Sequence, residues 1–596
     1  MKSYNSIISR VHIGIATALI SAGAAMVVVA AKPGVRSSGV DPTEIAPTAD
    51  NTIVNRSIPP GGSLSPAHVP AAFVPRPTPL AVVDPGAELG LNFSGLNFFN
   101  QRFDADGGNQ FSVEPPDQGL CVGNGYVLEA VNTVLAVYNA STGAQIGGFE
   151  SLNQFFTGDH AILRSTPPVF GTFITDPKCI YDADSGRFFM TVTTIGQDPV
   201  TGDFEKPFTL WIATSKTSTP TVNPSDWYFT TIDVTNDGTN GTPTHPGCPC
   251  VGDQPLIGAD ANGFYITTNE FPFFTSGFNG AQIYALQKSA LIAGTTPNIQ
   301  RIEGAPISPN YGEGIPYSLQ PAISPSAADF ATGSGGTEYL LGALEFGKRP
   351  PASTLDNRIA VWALTNTSSL NSTPAITVST KVIPSQVYGL PGSIVQRKGP
   401  TPLADAVKAH ENLIDGGDDR MQAATYAHGL LWGAGDTVVK TPTGSSQVGV
   451  TYYVVSPSVT GSAVDGTVVK QGYLSVDGNS VTRPSLGVTS AGKAVIGVSL
   501  VGPDYFPSAA YATLDDTLTT APSTLHVVAA GTKPADGFSG YPAFGAPSPR
   551  VERWGDYGAA SAVGNDVWIA NEWIQGNVSF PPALANWNTF VSKITP

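Results

Sequence analysis

The stretch RWGDYGAASAVGNDVWIANEWI, residues 553–574, decides the fold. Small and apolar residues run from 558 to 563, a Gly-Asn pair at 564–565 breaks the run, and a second apolar run follows. Strand-length apolar runs separated by a turn dipeptide are typical of a β-hairpin. The stretch therefore predicts two antiparallel strands, with a charged cluster before the first strand and Glu572 at the end of the second.

Weaker copies of this unit recur along the chain, which indicates a repeat architecture. Each copy offers four short strands separated by Gly, Asn, Ser or Asp, and no helical periodicity lies between them. The third strands align as LAVYN, LWIAT, IYALQ, VWALT, TYYVV and AAYAT, with a large residue near the middle. The units open, in order, at Pro116, Asp176, Asp253, Gln320, Asp418, Arg483 and Arg553. The pattern predicts an all-β fold, a seven-bladed β-propeller of four-stranded antiparallel blades.

The last of these units lacks a fourth strand. Residues 588–594 can supply its third strand, and nothing that follows is long enough for another. Leu91 to Phe99, before the first unit, is an unassigned strand candidate rich in aromatic residues. We expect this N-terminal strand to complete the last blade and close the ring, which also removes an open sheet edge.

The composition agrees with many short strands joined by turns. The 596 residues include 65 Gly and 51 Pro, and only 13% are charged, which argues against a helical protein. The formal net charge of −16 disfavours nucleic acid and anionic membrane surfaces as partners, since both need clustered Lys and Arg.

The N-terminus has the features of a secretory signal peptide, residues 1–31. A basic start precedes a nearly continuous apolar run with small residues at its end. The same run is long enough to remain as an uncleaved membrane anchor, and only then would the chain contact a membrane. Residues 32–90 are rich in Pro, Ser, Ala and Gly and predict a disordered linker, so the propeller domain spans residues 91–596.

Four cysteines, Cys121, Cys179, Cys248 and Cys250, are disulfide candidates in a secreted chain. They permit three pairings, and a bond between Cys248 and Cys250 would close a strained small ring. Only His245 lies nearby as a further soft-metal ligand, so the pattern favours structural cysteines over a metal site.

Four stretches carry a resemblance to a known group of proteins. They are EPPDQGLCVGNGYVLEAVN at 114–132, DPKCIYDADSGRFF at 176–189, DQPLIGADANGFYITTNEF at 253–271 and RWGDYGAASA at 553–562. Together they resemble secreted bacterial seven-bladed β-propeller proteins that are loosely sialidase-like, over roughly residues 110–596. The resemblance implies the fold but not sialidase chemistry. The chain has no good copy of the Ser/Thr-x-Asp-x-Gly-x-Thr-Trp Asp-box, of which Ser225-Asp226-Trp227 is a fragment.

Polar residues are predicted to converge at one mouth of the central channel. In an antiparallel blade, the start of the first strand and the end of the second lie on one face, and the first strand lines the channel. Candidates at first-strand starts are Asp117, Asp176, Asp253, Arg420, Arg483, Arg553, Trp554 and Asp556, and those at second-strand ends are Glu270, Glu345, Glu572 and Trp573. The closest internal match joins TNEF at 268–271 to ANEW at 570–573.

Three interpretations of these residues stay open. They pair with one another and cap backbone donors between blades, since buried charges need partners. Alternatively, they bind a glycan or another polar ligand, with Trp554 and Trp573 as stacking surfaces. In the third interpretation, carboxylates among Glu270, Glu345 and Glu572 cleave a polysaccharide, which requires an acid and a base or nucleophile about 5–10 Å apart.

Calcium is the one cofactor that the sequence suggests. Asp104, Asp106 and Asn109 offer oxygen ligands at a spacing that could hold calcium, but an ordinary Asp/Gly turn has the same pattern. The sequence as a whole favours a secreted or periplasmic propeller that acts as a monomeric binding module. Its expected partner is a polysaccharide or another polar extracellular ligand. The alternatives are a carbohydrate-active hydrolase or lyase and a purely structural surface protein.

Overall fold

The computed structural model describes residues 74–83, 89–304, 316–344, 355–515, 522, 524–544, 550–575 and 586–596. The predicted signal peptide therefore lies outside the described residues. Two strands precede the first blade, β1 (Ala81–Val83) and β2 (Leu89–Asn97).

Seven antiparallel sheets, numbered here as blades in chain order, form the propeller. Blade 1 consists of β3 (Gly119–Gly123), β4 (Tyr126–Val131), β5 (Val134–Asn139) and β6 (Gln145–Ser151). A small hairpin follows, β7 (Ile162–Leu163) and β8 (Val169–Phe170). Blade 2 consists of β9 (Phe173–Asp182), β10 (Arg187–Gln197), β11 (Phe204–Ser215) and β12 (Trp227–Asp233). Blade 3 consists of β13 (Cys250–Ala259), β14 (Gly263–Pro272), β15 (Gly280–Gln287) and β16 (Ile299–Ile302).

Blade 4 consists of β17 (Gln320–Pro321), β18 (Thr337–Ala343), β19 (Leu355–Thr365) and β20 (Thr377–Gly389). After β21 (Leu413–Ile414), blade 5 consists of β22 (Met421–Ala427), β23 (Leu430–Lys440), β24 (Ser446–Thr460) and β25 (Ala463–Leu474). Blade 6 consists of β26 (Ser480–Val488), β27 (Lys493–Val501), β28 (Ser508–Asp515) and β29 (Thr524–Ala529). After β30 (Val551–Glu552), which pairs with β21, blade 7 holds β31 (Ala559–Val563), β32 (Asp566–Trp573) and β33 (Asn588–Ile594).

Short α-helices lie in the connections: α1 (Leu152–Phe156), α2 (Lys288–Ala293) and α3 (Pro402–Ala406). In the described part of the chain, no helix has the length and apolar character needed to cross a membrane.

The two ends of the described chain meet in blade 7. β2 pairs antiparallel with β33, with Phe93 opposite Val591, and becomes the outer strand of that blade. The structure thus confirms the predicted fold, with four-stranded blades in a ring of seven and an N-terminal strand completing the last one.

Residues just before β2 also contact blades 5 and 6. The Pro75 carbonyl accepts a hydrogen bond from the N–H of Lys440 at 2.8 Å, and the N–H of Leu80 donates to the Ser475 carbonyl at 2.7 Å. β1 then pairs in parallel with β29, the outer strand of blade 6. Residues 74–83, at the end of the segment predicted as a linker, therefore lie along two blades.

The apolar core is divided among the blade interfaces. In blade 3, Phe264 and Ile266 pack into a cluster shared with blade 2, whereas Tyr265 packs into one shared with blade 4. Similar clusters lie between blades 1 and 2, 4 and 5, 5 and 6, 6 and 7, and 7 and 1. Because side chains alternate along a strand, this packing fixes which neighbouring blade each polar residue at a strand end faces.

Candidate functional site

The first strands of several blades begin with a backbone kink. Asp176, Gln254 and Arg483 have φ values of 56°, 49° and 55°, and a proline follows each of them. Proline disfavours the right-handed helical region for the residue before it. The strand pairing shifts in register close to the kinks of blades 3 and 6, as at a β-bulge. A bulged N–H leaves its own sheet ladder and needs an acceptor elsewhere.

Each of these N–H groups finds its acceptor in the preceding blade. Asn132 Oδ1 accepts from the N–H of Asp176 at 2.9 Å. Asp176 Oδ2 in turn accepts from the N–H of Gln254 at 3.0 Å. Asp436 Oδ1 accepts from the N–H of Arg483, also at 3.0 Å. These side chains satisfy buried backbone donors and link neighbouring blades.

The same kind of bond occurs at two further junctions. Between blades 3 and 4, Asn269 Oδ1 accepts from the N–H of Ser318 at 2.8 Å. Between blades 7 and 1, Asp117 Oδ1 accepts from the N–H of Asp556 at 2.6 Å. Asp253, another predicted ligand-binding residue, stands opposite Asn269 in the sheet and is 7% exposed. The strand-start aspartates thus have structural contacts whatever else they bind.

Arginines at the mouth are paired with aspartates. Arg420 Nε and Nη2 donate to the two carboxylate oxygens of Asp418 at 2.7 and 2.6 Å. Arg553 donates through Nη2 to Asp556 Oδ1. Bidentate and short charge-assisted bonds of this kind hold both partners in one orientation.

A cavity of about 150 Å³ opens among the predicted residues of the mouth. The described residues of its wall are Leu390, Pro391, Gly392, Ser393, Asp415, Gly417, Asp418, Arg420, Arg483 and Asp556. Of its carboxylates, Asp415 is the most open, with 21% of its side chain exposed against 12% for Asp556 and 9% for Asp418. Arg483 Nη2 lies 3.8 Å from Asp415 Oδ2. The structure thus brings Arg420, Arg483 and Asp556 together and adds Asp415, which sequence reasoning missed.

A second space, of about 60 Å³, is lined by residues from the first strands of the blades. Lys178, Gln422 and Ser485 are among the residues that line it. The amide atoms of Gln422 and the hydroxyl of Ser485 have no hydrogen-bond partner. Lys178 and Ser485 each come two positions after the residue that opens their unit, Asp176 and Arg483, a regularity of the sequence that could have identified them.

Lys178 supplies an amine to the wall of the channel. Its Nζ lies 3.1 Å from the centre of the Tyr557 ring. Burial lowers the pKa of Lys178 to about 7, although the nearby Asp117, Asp176 and Asp556 act to raise it. Burial, followed by the charge of Asp556, raises the pKa of Asp176 to about 6.

Two of the predicted catalytic glutamates, Glu270 and Glu572, are not among the described residues of the cavity wall. Glu270 is 1% exposed, and its Oε1 accepts from His245 Nδ1 at 2.7 Å and from Asn279 Nδ2 at 2.8 Å. The hydrogen bond to Glu270 raises the pKa of His245. Glu572 is 4% exposed, and burial raises its pKa well above the usual range. Glu345 lies outside the described residues.

The two matching segments, TNEF at 268–271 and ANEW at 570–573, point their asparagine side chains toward different neighbouring blades. Asn269 faces blade 4, where its Nδ2 donates to Ser318 Oγ at 2.9 Å. Asn571 instead faces blade 6, where its Oδ1 lies 2.6 Å from the position that a Cβ on Gly497 would take. By alternation Glu572 faces blade 1, as Asn269 faces the blade that follows its own. The sequence match pairs Asn269 with Asn571. In the structure, however, the residue that faces the following blade as Asn269 does is Glu572, one position later.

The predicted stacking surfaces are largely covered. Trp554 is 1% exposed and packs in an apolar cluster with Ile394 and Ile574. Trp573 is 8% exposed, and its Nε1 donates to the Thr589 carbonyl at 3.3 Å. Neither indole offers an open face of the size that a sugar ring needs for stacking.

The calcium candidates have separate partners. Asp104 Oδ2 accepts from Asn100 Nδ2 at 2.8 Å, and both Asp106 oxygens lie within 2.9 Å of His160 Nδ1. Asn109 Oδ1 accepts from a backbone N–H at 3.4 Å. The three side chains are engaged in a loop network of ordinary turn type.

All four cysteines form disulfides. Cys121 is bonded to Cys179, which joins the first strands of blades 1 and 2. Cys248 is bonded to Cys250, so the small ring that sequence reasoning disfavoured is closed. Their Cα atoms are 4.4 Å apart, which is at the short end of the usual disulfide range.

No protein-family model matches the chain, and no curated protein matches it either. Solved structures similar to it include Trypanosoma rangeli sialidase in complex with the inhibitor DANA, at 9% identity over 72% of this chain and 55% of the sialidase, with a TM-score of 0.32. Phage phi92 endosialidase is similar at 9% identity over 87% of this chain and 71% of its own, with a TM-score of 0.36. A GH43 β-1,3-galactosidase with galactodeoxynojirimycin matches at 13% identity over 63% of this chain and 97% of its own, with a TM-score of 0.28. At these values the similarities carry no conclusion on activity.

Proposed function

We propose that the protein is a secreted or periplasmic binding module that takes a polar ligand, a glycan, at the mouth of its channel. The observation that carries the proposal is the cavity of about 150 Å³ whose wall combines three carboxylates with two guanidinium groups. The proposed secreted or periplasmic location rests on the signal peptide predicted over residues 1–31.

Sugar hydroxyls suit this wall because each hydroxyl both donates and accepts hydrogen bonds. Asp415 offers the most open acceptor, and Arg483 offers donors beside it. Among the described residues of the wall, carboxylates outnumber arginines, and the chain carries a net charge of −16, so a neutral ligand fits better than an anionic one. The cavity at the opposite mouth is larger, about 250 Å³, but its described wall residues include no charged side chain.

The alternative is a carbohydrate-active hydrolase or lyase that uses carboxylates of the mouth. Such a mechanism needs two carboxyl groups that both reach the substrate. In the cavity, Asp418 is engaged by Arg420 and Asp556 by Arg553, so Asp415 is the one carboxylate of this wall with much open surface. The arrangement supports binding over cleavage.

The test is a glycan-array screen of the protein, with a hydrolysis assay on every glycan that it binds. Asp415→Asn removes one charged acceptor and keeps the shape of the side chain. We expect its dissociation constant to rise about 10–100-fold, since a hydrogen bond to a charged group contributes about 1.5–3 kcal/mol.

Asp465→Asn is the matched control, because Asp465 lies on β25 and 64% of its side chain is exposed. The control should bind as the unmodified protein does. Release of cleaved product would favour the hydrolase or lyase, and absence of binding to any glycan would favour a structural surface protein. Equal binding by both variants would place the ligand elsewhere.

A further inference from the structure

A second group of polar atoms lies at the start of blade 3, outside the wall of the mouth cavity. Cys248 Sγ, Cys250 Sγ and a carboxylate oxygen of Glu270 lie within 4.8 Å of one another. Among the described residues, this is the one group of three or more Cys, His, Asp or Glu donors gathered so closely. The two sulfurs are bonded to each other, so opening that bond would leave two sulfur ligands and one carboxylate oxygen in one place.

The amide nitrogen of Asn279 marks the point on which these donors converge. Asn279 Nδ2 lies 2.8 Å from Glu270 Oε1, 3.4 Å from Cys250 Sγ and 3.7 Å from Cys248 Sγ. A single electropositive N–H₂ group thus faces three electron-rich atoms. A cation in the same place would meet the same atoms.

The carboxylate is oriented by groups behind it. Asn236 donates to Glu270 Oε2, and His245 Nδ1 lies 2.7 Å from Glu270 Oε1. His245 Nε2 lies 3.5 Å from Glu303 Oε1, and the His245 side chain is 12% exposed. Outer hydrogen bonds of this kind hold metal-binding carboxylates and imidazoles in place.

We propose that reduction of the Cys248–Cys250 disulfide creates a site for a soft divalent cation such as Zn²⁺. Two cysteine thiolates and the Glu270 carboxylate bind the ion, and the imidazole of His245, which contacts Glu270 Oε1 through Nδ1, takes the fourth position. Thiolates and imidazole are the ligands that Zn²⁺ prefers in four-coordinate sites.

The chemistry requires a dithiol as reductant. The dithiol supplies two electrons and two protons, its own sulfurs become a disulfide, and the S–S bond of the protein opens to two thiols. The cation then displaces the two thiol protons, which pass to solvent. In the oxidised chain the sulfurs are bonded to each other and supply no thiolate, so binding is confined to the reduced chain.

The other disulfide provides an internal control. Cys121 and Cys179 are buried in an apolar cluster with Leu128, Leu135 and Met190. No acid or histidine joins those sulfurs in a group of three donors in the described part of the chain. Reduction of the Cys121–Cys179 bond yields two thiols with no further ligand in that group. We therefore expect the metal to bind at Cys248 and Cys250 and not at Cys121 and Cys179.

The experiment is a Co²⁺ titration of the full chain, first oxidised and then reduced with dithiothreitol and freed of reductant under nitrogen. We expect a thiolate-to-cobalt charge-transfer band that saturates at one ion per reduced chain, disappears on addition of Zn²⁺ and is absent from the oxidised chain. The double variant Cys121→Ala/Cys179→Ala should keep the band, and Cys248→Ala/Cys250→Ala should lose it. His245→Ala should weaken binding about 10–100-fold.

Two results would overturn the proposal. One is a reduced chain without the band, and the other is a band that persists in Cys248→Ala/Cys250→Ala. Should that variant fail to fold, the comparison of oxidised and reduced unmodified protein still decides, because both have the same sequence.

Discussion

Asn132→Ala should destabilise the protein far more than Asn571→Ala, although both asparagines are buried and close the second strand of a blade. Asn132 Nδ2 donates to the Pro115 carbonyl at 3.1 Å and to an Asp117 oxygen at 2.8 Å. Its Oδ1 accepts from the N–H of Asp176 at 2.9 Å and from a threonine hydroxyl at 3.2 Å. Asn571 Oδ1 has no hydrogen-bond partner. The same substitution therefore removes four side-chain hydrogen bonds at Asn132 and none to the side-chain oxygen at Asn571.

The magnitude follows from the groups that lose their partners. In Asn132→Ala, the N–H of Asp176 and the carbonyl of Pro115 remain in the interior without the bonds that the asparagine made. A buried donor or acceptor left unsatisfied costs about 1–3 kcal/mol, so we expect a loss of about 3–5 kcal/mol in the free energy of unfolding. Asn571→Ala breaks no bond to its oxygen, and the expected loss is below about 1 kcal/mol.

The measurement is urea-induced unfolding at pH 7, followed by tryptophan fluorescence, for both variants and the unmodified protein. The urea midpoints are converted to free energies with the same m value for all three proteins, because neither substitution changes much the surface exposed on unfolding. Equal losses, or a larger loss for Asn571→Ala, would refute the idea that side-chain bonds to bulged N–H groups stabilise the blade junctions.

Three further predictions concern pH, chain closure and the long disulfide. Burial raises the pKa of Asp436 to about 8, above about 3.9 in an unfolded chain, so the folded chain holds an extra proton between these values and its stability falls as pH rises through them. Asp436→Asn should flatten that fall by up to about 1.4 kcal/mol per pH unit in urea midpoints from pH 5 to 8, and an unchanged slope would contradict the assignment. Removing residues 1–73 should leave the melting temperature unchanged, whereas removing residues 1–99 deletes β2, exposes the edge of β33 and should cause aggregation in size-exclusion chromatography; a monomeric peak would count against the closing role. Cys121→Ala/Cys179→Ala opens a link across 58 residues and should lower the free energy of unfolding by about 4 kcal/mol, and a loss below about 1 kcal/mol would conflict with the chain-entropy account.

The fold is predictable because its signals are local. The turn at 564–565 separates β31, which ends at Val563, from β32, which begins at Asp566, as the apolar runs indicate. The closing strand was expected at 91–99 and is β2, Leu89–Asn97, only slightly displaced. Strand-length runs and turn residues are visible in a short window of sequence, so seven repeats of them lead to the propeller.

The site is less predictable because it depends on register between strands. A one-residue offset turns Asn571 toward blade 6 while Asn269 faces the blade that follows its own, and neither four-residue segment carries any sign of this difference. Asp415 was missed because it precedes the repeat unit of blade 5, in a connection whose path the sequence does not reveal. Lys178 lines the channel two residues after Asp176, although it lies within a strand with no sequence feature of a site.

The pairing of β2 with β33 also sets an order of events during synthesis. β2 leaves the ribosome before any blade exists, and its strand partner follows only after six complete blades. Blades 1 to 6 can form one after another as their strands emerge, because each is built from consecutive segments. Until β33 arrives, the nascent protein is an open arc with an unpaired strand at its leading end. Resistance to proteases should therefore appear late and abruptly, at the moment when the last strand is released.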